Sequence, residues 1–233
     1  MIELVGFDGD DTLWHSEGYF RHAGAEFERI VGNWVDIGDA AVRSRLRAVE
    51  RRNLALFGYG AKGMALSMVE AAIELTDGAI PARDIHLIVA LGKAVLDHPV
   101  ELLPGIRAAV KAVAARHRVV LITKGDLFHQ EHKVAQSGLG ELFHRIEIVS
   151  EKDVSSYSRV IAECGSEPSR FAMVGNSLRS DIEPVITLGG WGVHMPYHVT
   201  WEHEMEHAVD SAHPRVITIT SAQEIAEALV RCS

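Results

Sequence analysis

The stretch Ile2-Glu3-Leu4-Val5-Gly6-Phe7-Asp8-Gly9-Asp10-Asp11-Thr12 decides how this chain is read. A short apolar run over residues 2–7 stops abruptly at a cluster of carboxylates. A run of that length, closed by polar residues, reads as a buried strand. The rhythm then changes. From Ser16 to about Val100 there are no strand-like runs, and apolar residues recur at helical spacing over 19–31, 41–57, 64–75 and 85–96. Thr76-Asp77-Gly78 and Pro81 punctuate the last two of these helices. Beyond Pro104 the pattern alternates. Helical stretches at 105–115, 127–137, 153–164, 179–188 and 222–230 are interleaved with strand-like runs at 118–123, 146–149, 171–174, 192–194 and 216–219. Such alternation implies right-handed βαβ units on a parallel sheet. The predicted fold is therefore α/β: a Rossmann-like core from residues 1–15 and 100–233, interrupted by an all-helical insert at 16–99.

Composition bounds the function. The chain has 233 residues, 47% hydrophobic and 24% charged, which is ordinary for a globular protein with a sizeable core. The formal charge of -9 argues against coating a nucleic acid, but leaves room for small phosphate esters held by a few local cations. Cys164 and Cys232 form neither a metal nor a redox spacing, which fits a reducing cytoplasm. No basic region precedes an apolar one at the N-terminus, and no apolar run reaches the ~18 residues of a membrane span. The expectation is a cytoplasmic protein with no membrane association.

In open α/β sheets ligands bind at the carboxyl ends of the strands. There the sequence places Asp8-Gly9-Asp10-Asp11-Thr12, then Thr123-Lys124-Gly125-Asp126, then Glu151-Lys152-Asp153, then Gly175-Asn176-Ser177 with Asp181 further on. Crowded carboxylates invite a hard cation with oxygen ligands, for which Mg²⁺ is the natural choice. Thr123, Lys124 and Lys152 suit the oxygens of a phosphoryl group.

This set resembles the haloacid dehalogenase superfamily, most of whose members are Mg²⁺-dependent phosphatases. Asp8-Gly9-Asp10-Asp11-Thr12 is similar to its DxDx[TV] motif, Thr123 to its second motif, Lys152 to its third, and Gly175-Asn176-Ser177 with Asp181 to its fourth. The helical insert resembles that family's type-1 cap. The resemblance implies hydrolysis of a small phosphorylated metabolite. Asp8 would be the nucleophile that forms an aspartyl-phosphate, and Asp10 the acid and base. Thr123, with a main-chain N–H near Lys124, would hold phosphoryl oxygens, and Lys152 would neutralise charge. Asp8, Asp10 and a motif-four side chain, Asn176 or Asp181, would hold Mg²⁺. Asn176 stands where the family usually has aspartate, so the site carries one less negative charge. Two rivals share this fold: a metal-free, dehalogenase-like hydrolase, against which Asp10 speaks, and a non-catalytic binding protein, for which Asn176 is the support.

Two further patterns mimic other chemistry. Gly58-Tyr59-Gly60-Ala61-Lys62-Gly63 fits the dinucleotide fingerprint, but a helical stretch precedes it where a strand is needed. It reads as an inter-helix loop, or as a cap loop offering Tyr59 and Lys62 to substrate. His203-Glu204-Met205-Glu206-His207 fits a zinc-protease signature without a third ligand, and reads as an exposed histidine-rich helix. His194 and His198, which flank Pro196, read as loop surface or as the mouth of the crevice. Trp14, after the first motif, reads as packing under the cap or as a stacking surface for substrate.

Overall fold

The computed structural model describes residues 1–199 and 209–232. The His203–His207 pattern lies outside the described residues. The described residues divide into two units, one of residues 1–17, 100–124, 130–199 and 209–232, the other of residues 18–99 and 125–129.

The first unit is built on a six-stranded parallel sheet. Its strands are β1 (Leu4–Phe7), β2 (Arg118–Lys124), β3 (Arg145–Val149), β4 (Phe171–Gly175), β5 (Trp191–His194) and β6 (Val216–Thr218), in the order β3-β2-β1-β4-β5-β6. The central strands are apolar on both faces because both are covered, as a parallel sheet requires. Val5, Phe7, Val119, Leu121, Ala172 and Val174 pack towards α5 (Ile106–Ala114) and α9 (Ile225–Arg231). Their neighbours Leu4, Val120, Ile122, Phe171 and Met173 pack with Tyr157, Val160 and Ile161 of α7 (Val154–Glu163) and Val185 of α8 (Glu183–Thr187). The period of two along each strand thus feeds two separate apolar layers. Helix α6 (Leu127–Ser137) follows β2.

The sheet order reverses at β1, which pairs with β2 on one side and β4 on the other. Such a switch point opens a crevice at the carboxyl ends of the two diverging strands. Asp8 follows β1 there, and Asn176 follows β4.

The second unit holds α1 (Glu17–Val31), α2 (Ala40–Phe57), α3 (Ala61–Leu75) and α4 (Ala82–Leu96). Its own core gathers Phe27, Ile30, Val31, Val49, Met68, Leu75, Ile88 and Val95. Asp39 caps α2 by accepting the Ala41 N–H at 2.6 Å. The Gly58–Gly63 pattern is the turn from α2 into α3, so no strand precedes it and the dinucleotide reading falls. Lys62 is paired with Asp126 at 2.9 Å.

One predicted element differs. The stretch 179–188 was expected as a single helix, but the chain first makes a wide π turn, Leu178–Ile182, before α8. The Asp181 and Ile182 N–H groups both bond the Ser177 carbonyl, at 3.0 and 3.3 Å. Pro184 lies in the first turn of α8, where its missing N–H costs nothing. Among the described residues, no helix is long and apolar enough to cross a membrane.

Candidate active site

The site is assembled from loops that leave β1, β2, β3 and β4. Asp8 is buried, and its N–H is tied to the Val174 carbonyl at 2.9 Å, so β4 fixes the first carboxylate. Lys152 is buried with it. Its ammonium bonds Asp8 Oδ1 and also Asp181 Oδ1, the latter at 2.7 Å. Burial works against the ammonium, but Asp181 and Asp8 outweigh it and raise Lys152 well above the usual lysine range.

Burial is also the main influence on Asp8. Lys152 pulls the other way, Asp181 and Asp10 add repulsion, and the result is a carboxyl pushed up to about 7. Asp11, at a left-handed φ of 61°, accepts the Ser16 N–H at 2.8 Å and is likewise raised to about 7 by burial. Asp10 goes the other way. Burial favours its neutral form, but the Lys133 charge, together with hydrogen bonds from Lys133, Gln130 and Trp14, holds it below the usual range.

The sign of the pH effect follows. Between the ordinary aspartate value of 3.8 and about 7, folded Asp8 and Asp11 keep protons that the unfolded chain releases. Stability therefore falls as pH rises through that window. The depressed Asp10 acts below 3.8, outside it. Thermal melts without divalent cations are expected to give a lower midpoint at pH 8 than at pH 5, and Asp8→Asn should reduce the difference. An equal slope in the variant would remove Asp8 as a source of the effect.

Asp10 receives three donors: Trp14 Nε1 and Lys133 Nζ on Oδ1, each at 2.6 Å, and Gln130 Nε2 on Oδ2 at 2.9 Å. Lys133, Gln130 and Trp14 are absent from the sequence-derived site. A signal for the first two existed. Residues 130, 133, 134 and 137 of α6 are all buried at helical spacing, and two of them are a glutamine and a lysine. Trp14 is fully buried, and its indole N–H serves the second acid.

Asp181 needs room. A Cβ at Gly175 would lie 2.3 Å from the Asp181 carboxyl carbon, so only glycine lets that carboxylate come under β4. Both its oxygens have partners, Lys152 on Oδ1 and the Ser177 N–H on Oδ2 at 3.0 Å. Asp181 thus anchors Lys152 and the fourth loop. Thr123 is buried at the end of β2, and a Cβ on Gly9 would stand 3.1 Å from its hydroxyl. Lys124 donates to the Ser180 hydroxyl at 2.9 Å. His194 is buried with Nε2 3.1 Å from the Asn176 carbonyl, while His198 lies against the Tyr197 ring.

Asn176 holds the decisive place. Its amide Oδ1 accepts the Thr12 hydroxyl at 3.3 Å, and the same end of the amide lies 3.2 Å from both Asp8 Oδ2 and the Asp10 main-chain carbonyl oxygen; turned over, the amide would put its nitrogen there as a donor to all three. Two oxygens of the first motif therefore converge on one point of the fourth.

A sequence profile of the haloacid dehalogenase-like hydrolases matches residues 2–189. The chain belongs to that family. A haloacid dehalogenase-like family hydrolase from Xanthomonas campestris is 53% identical over 99% of this chain and 96% of its own, with a TM-score of 0.90. Two more distant haloacid dehalogenase-fold proteins match in structure alone. A 2-haloacid dehalogenase from Pseudomonas syringae pv. tomato is 18% identical over the whole of both chains, with a TM-score of 0.64. The magnesium-bound HAD-hydrolase YfnB from Bacillus subtilis is 15% identical over 98% of each, with a TM-score of 0.63. No curated protein matches in sequence. Within this hydrolase family, the expected α/β core is as described above.

Proposed function

We propose that the chain is a Mg²⁺-dependent hydrolase of small phosphate monoesters that acts through an aspartyl-phosphate on Asp8. One observation carries the reading. Two carboxylates, two residues apart, are placed in opposite surroundings, Asp8 against Lys152 and Asp10 in a cage of three donors. Each carboxylate is thus held in place by donors of its own, as an attacking group and a proton-transfer group both need to be.

The donor set fits the metal. Among the described residues no three His, Cys, Asp or Glu side chains converge on a common point. The candidate ligands are instead Asp8 Oδ2, the Asp10 carbonyl and the Asn176 amide oxygen, Oδ1, which lies on the same side. Hard oxygen donors suit Mg²⁺. When bound, Mg²⁺ supplies charge that offsets the repulsion between a carboxylate and a phosphate dianion. The chain supplies the rest. Asp8 presents a carboxylate whose other oxygen is held by Lys152. Thr123 lends a hydroxyl beside Gly9, and Asp10 exchanges the proton with the leaving oxygen and then with water. Residues 16–99 take the part of a cap. The partner is a small phosphorylated metabolite, and a cytoplasmic place accords with two buried, unbridged cysteines, Cys164 and Cys232.

Asn176 favours a second reading, a metal-independent hydrolase of dehalogenase type, because its amide, turned over, would donate to Asp8 Oδ2 and the Asp10 carbonyl with no cation needed between them. Hydrolysis of an aryl phosphate with Mg²⁺ and with EDTA separates the two. Metal-dependent turnover supports the first, and metal-independent halide release from a 2-haloacid supports the second.

If Asn176 faces the metal, Asn176→Asp adds a negative charge at the ligand position. The Mg²⁺ concentration for half-maximal activity should fall roughly tenfold, since cation affinity follows ligand charge. An unchanged or higher value in a Mg²⁺ titration would remove Asn176 from the ligand set.

A further inference from the structure

Asp10 has two oxygens, and they are not equivalent. An ionised carboxylate offers about four lone-pair positions, two on each oxygen. Oδ1 receives both the Trp14 indole N–H and the Lys133 ammonium at 2.6 Å, so its positions are filled. Oδ2 receives only Gln130 Nε2, at 2.9 Å, and keeps one position open.

The donors are themselves fixed. Trp14 is fully buried, Gln130 and Lys133 nearly so. The Gln130 amide nitrogen also donates to the Lys124 carbonyl at 2.8 Å, so both its hydrogens are spent on acceptors. Turning that amide over would set its oxygen against two other oxygens, an arrangement without a single hydrogen bond. Gln130 and Lys133 stand three apart on α6, where such residues share a face.

From this geometry we infer that Lys133, Gln130 and Trp14 are positioning residues that confine the proton traffic of Asp10 to Oδ2. The inference rests on the phosphoryl-transfer reading above. In the first step an Asp8 carboxylate oxygen bonds phosphorus and the ester P–O bond breaks. The bond's electron pair goes to the leaving oxygen, which takes the proton from Asp10 Oδ2. In the second step a water oxygen bonds phosphorus and gives its proton to Oδ2, while the electron pair of the Asp8 O–P bond returns to Asp8. With Oδ1 clamped, the carboxylate cannot rotate its open position away from the reacting oxygen.

The test is a series of aryl phosphates whose phenols differ in acidity, read as kcat/KM, which reports the first step. Good general acid catalysis makes the rate nearly indifferent to the leaving group. Lys133→Met and Gln130→Met are each expected to cost the least acidic phenols about 100-fold and the nitrophenol ester only a few fold, with KM little changed. The dependence on phenol acidity thus steepens. Lys133→Arg, which keeps a cationic donor, should restore most of the wild-type slope. A uniform loss across the series, or an unchanged slope in both variants, overturns the assignment. The two substitutions are independent, so a failure of one to fold leaves the other. Should the wild type hydrolyse no phosphate ester, the functional reading falls and the positioning claim is read from a crystal structure of Lys133→Met. There Asp10 is expected to leave its single orientation, and an unmoved carboxylate overturns the claim.

Discussion

Asp8→Asn is expected to abolish phosphate-ester turnover, with a loss on the order of 10⁴-fold or more, as removal of a covalent nucleophile does elsewhere. An amide cannot accept a phosphoryl group, whereas Thr123, Lys152 and Asp10 all remain. The fold should persist. The substitution is isosteric, the Asp8 N–H keeps its bond to Val174, and Lys152 keeps Asp181. It should also melt no lower than wild type at pH 8, since an ionised Asp8 works against stability there. Near-wild-type kcat in the variant would eliminate the covalent route, and a large fall in melting temperature would show that Asp8 also carries the fold.

The second large effect belongs to Lys152. Its ammonium lies between Asp8 and Asp181, all three side chains almost without solvent. Lys152→Met keeps the length of the side chain and removes the charge. Two carboxylates are then buried together with no cation, and the loss of one partner from such a cluster costs about 3–5 kcal/mol. For a chain of this size that is a drop of roughly 10 °C in melting temperature. The drop should shrink at pH 5, where the orphaned carboxylates take up a proton. Activity should vanish alongside, for want of the charge beside Asp8. A variant that melts with wild type at pH 8 would contradict the pairing.

The sequence showed the first strand, the helical stretch after it and the later alternation of strands and helices because each rests on a local rhythm of apolar residues. Its reading of 179–188 failed for a local reason of another kind. A π turn differs from an α-helix by one residue of hydrogen-bond spacing, and apolar periodicity does not resolve that over five residues. At the site, residues at strand ends were legible because the sheet itself points them at the crevice. Lys133 and Gln130 were not. They reach Asp10 from the side of α6; helical spacing marks the face they share, but not that this face meets the first loop, which depends on packing. Asn176 was legible as a departure from the expected aspartate, but its amide's place between Asp8 and Asp10 is a matter of coordinates.

The sheet order has a consequence for how the molecule comes into being. β1 spans Leu4–Phe7, yet its two partners are β2 from Arg118 and β4 from Phe171. During synthesis β1 must therefore wait for more than a hundred residues before it finds either neighbour, while α1 to α4 can pair among themselves meanwhile. Loop-closure entropy makes such distant pairings late and slow relative to local helical contacts. The chain should accordingly mature in two phases, a fast helical one and a slower one that closes the sheet. Because Asp8 and Asn176 come together only when β1 and β4 pair, the candidate site should be assembled at the end of the second phase.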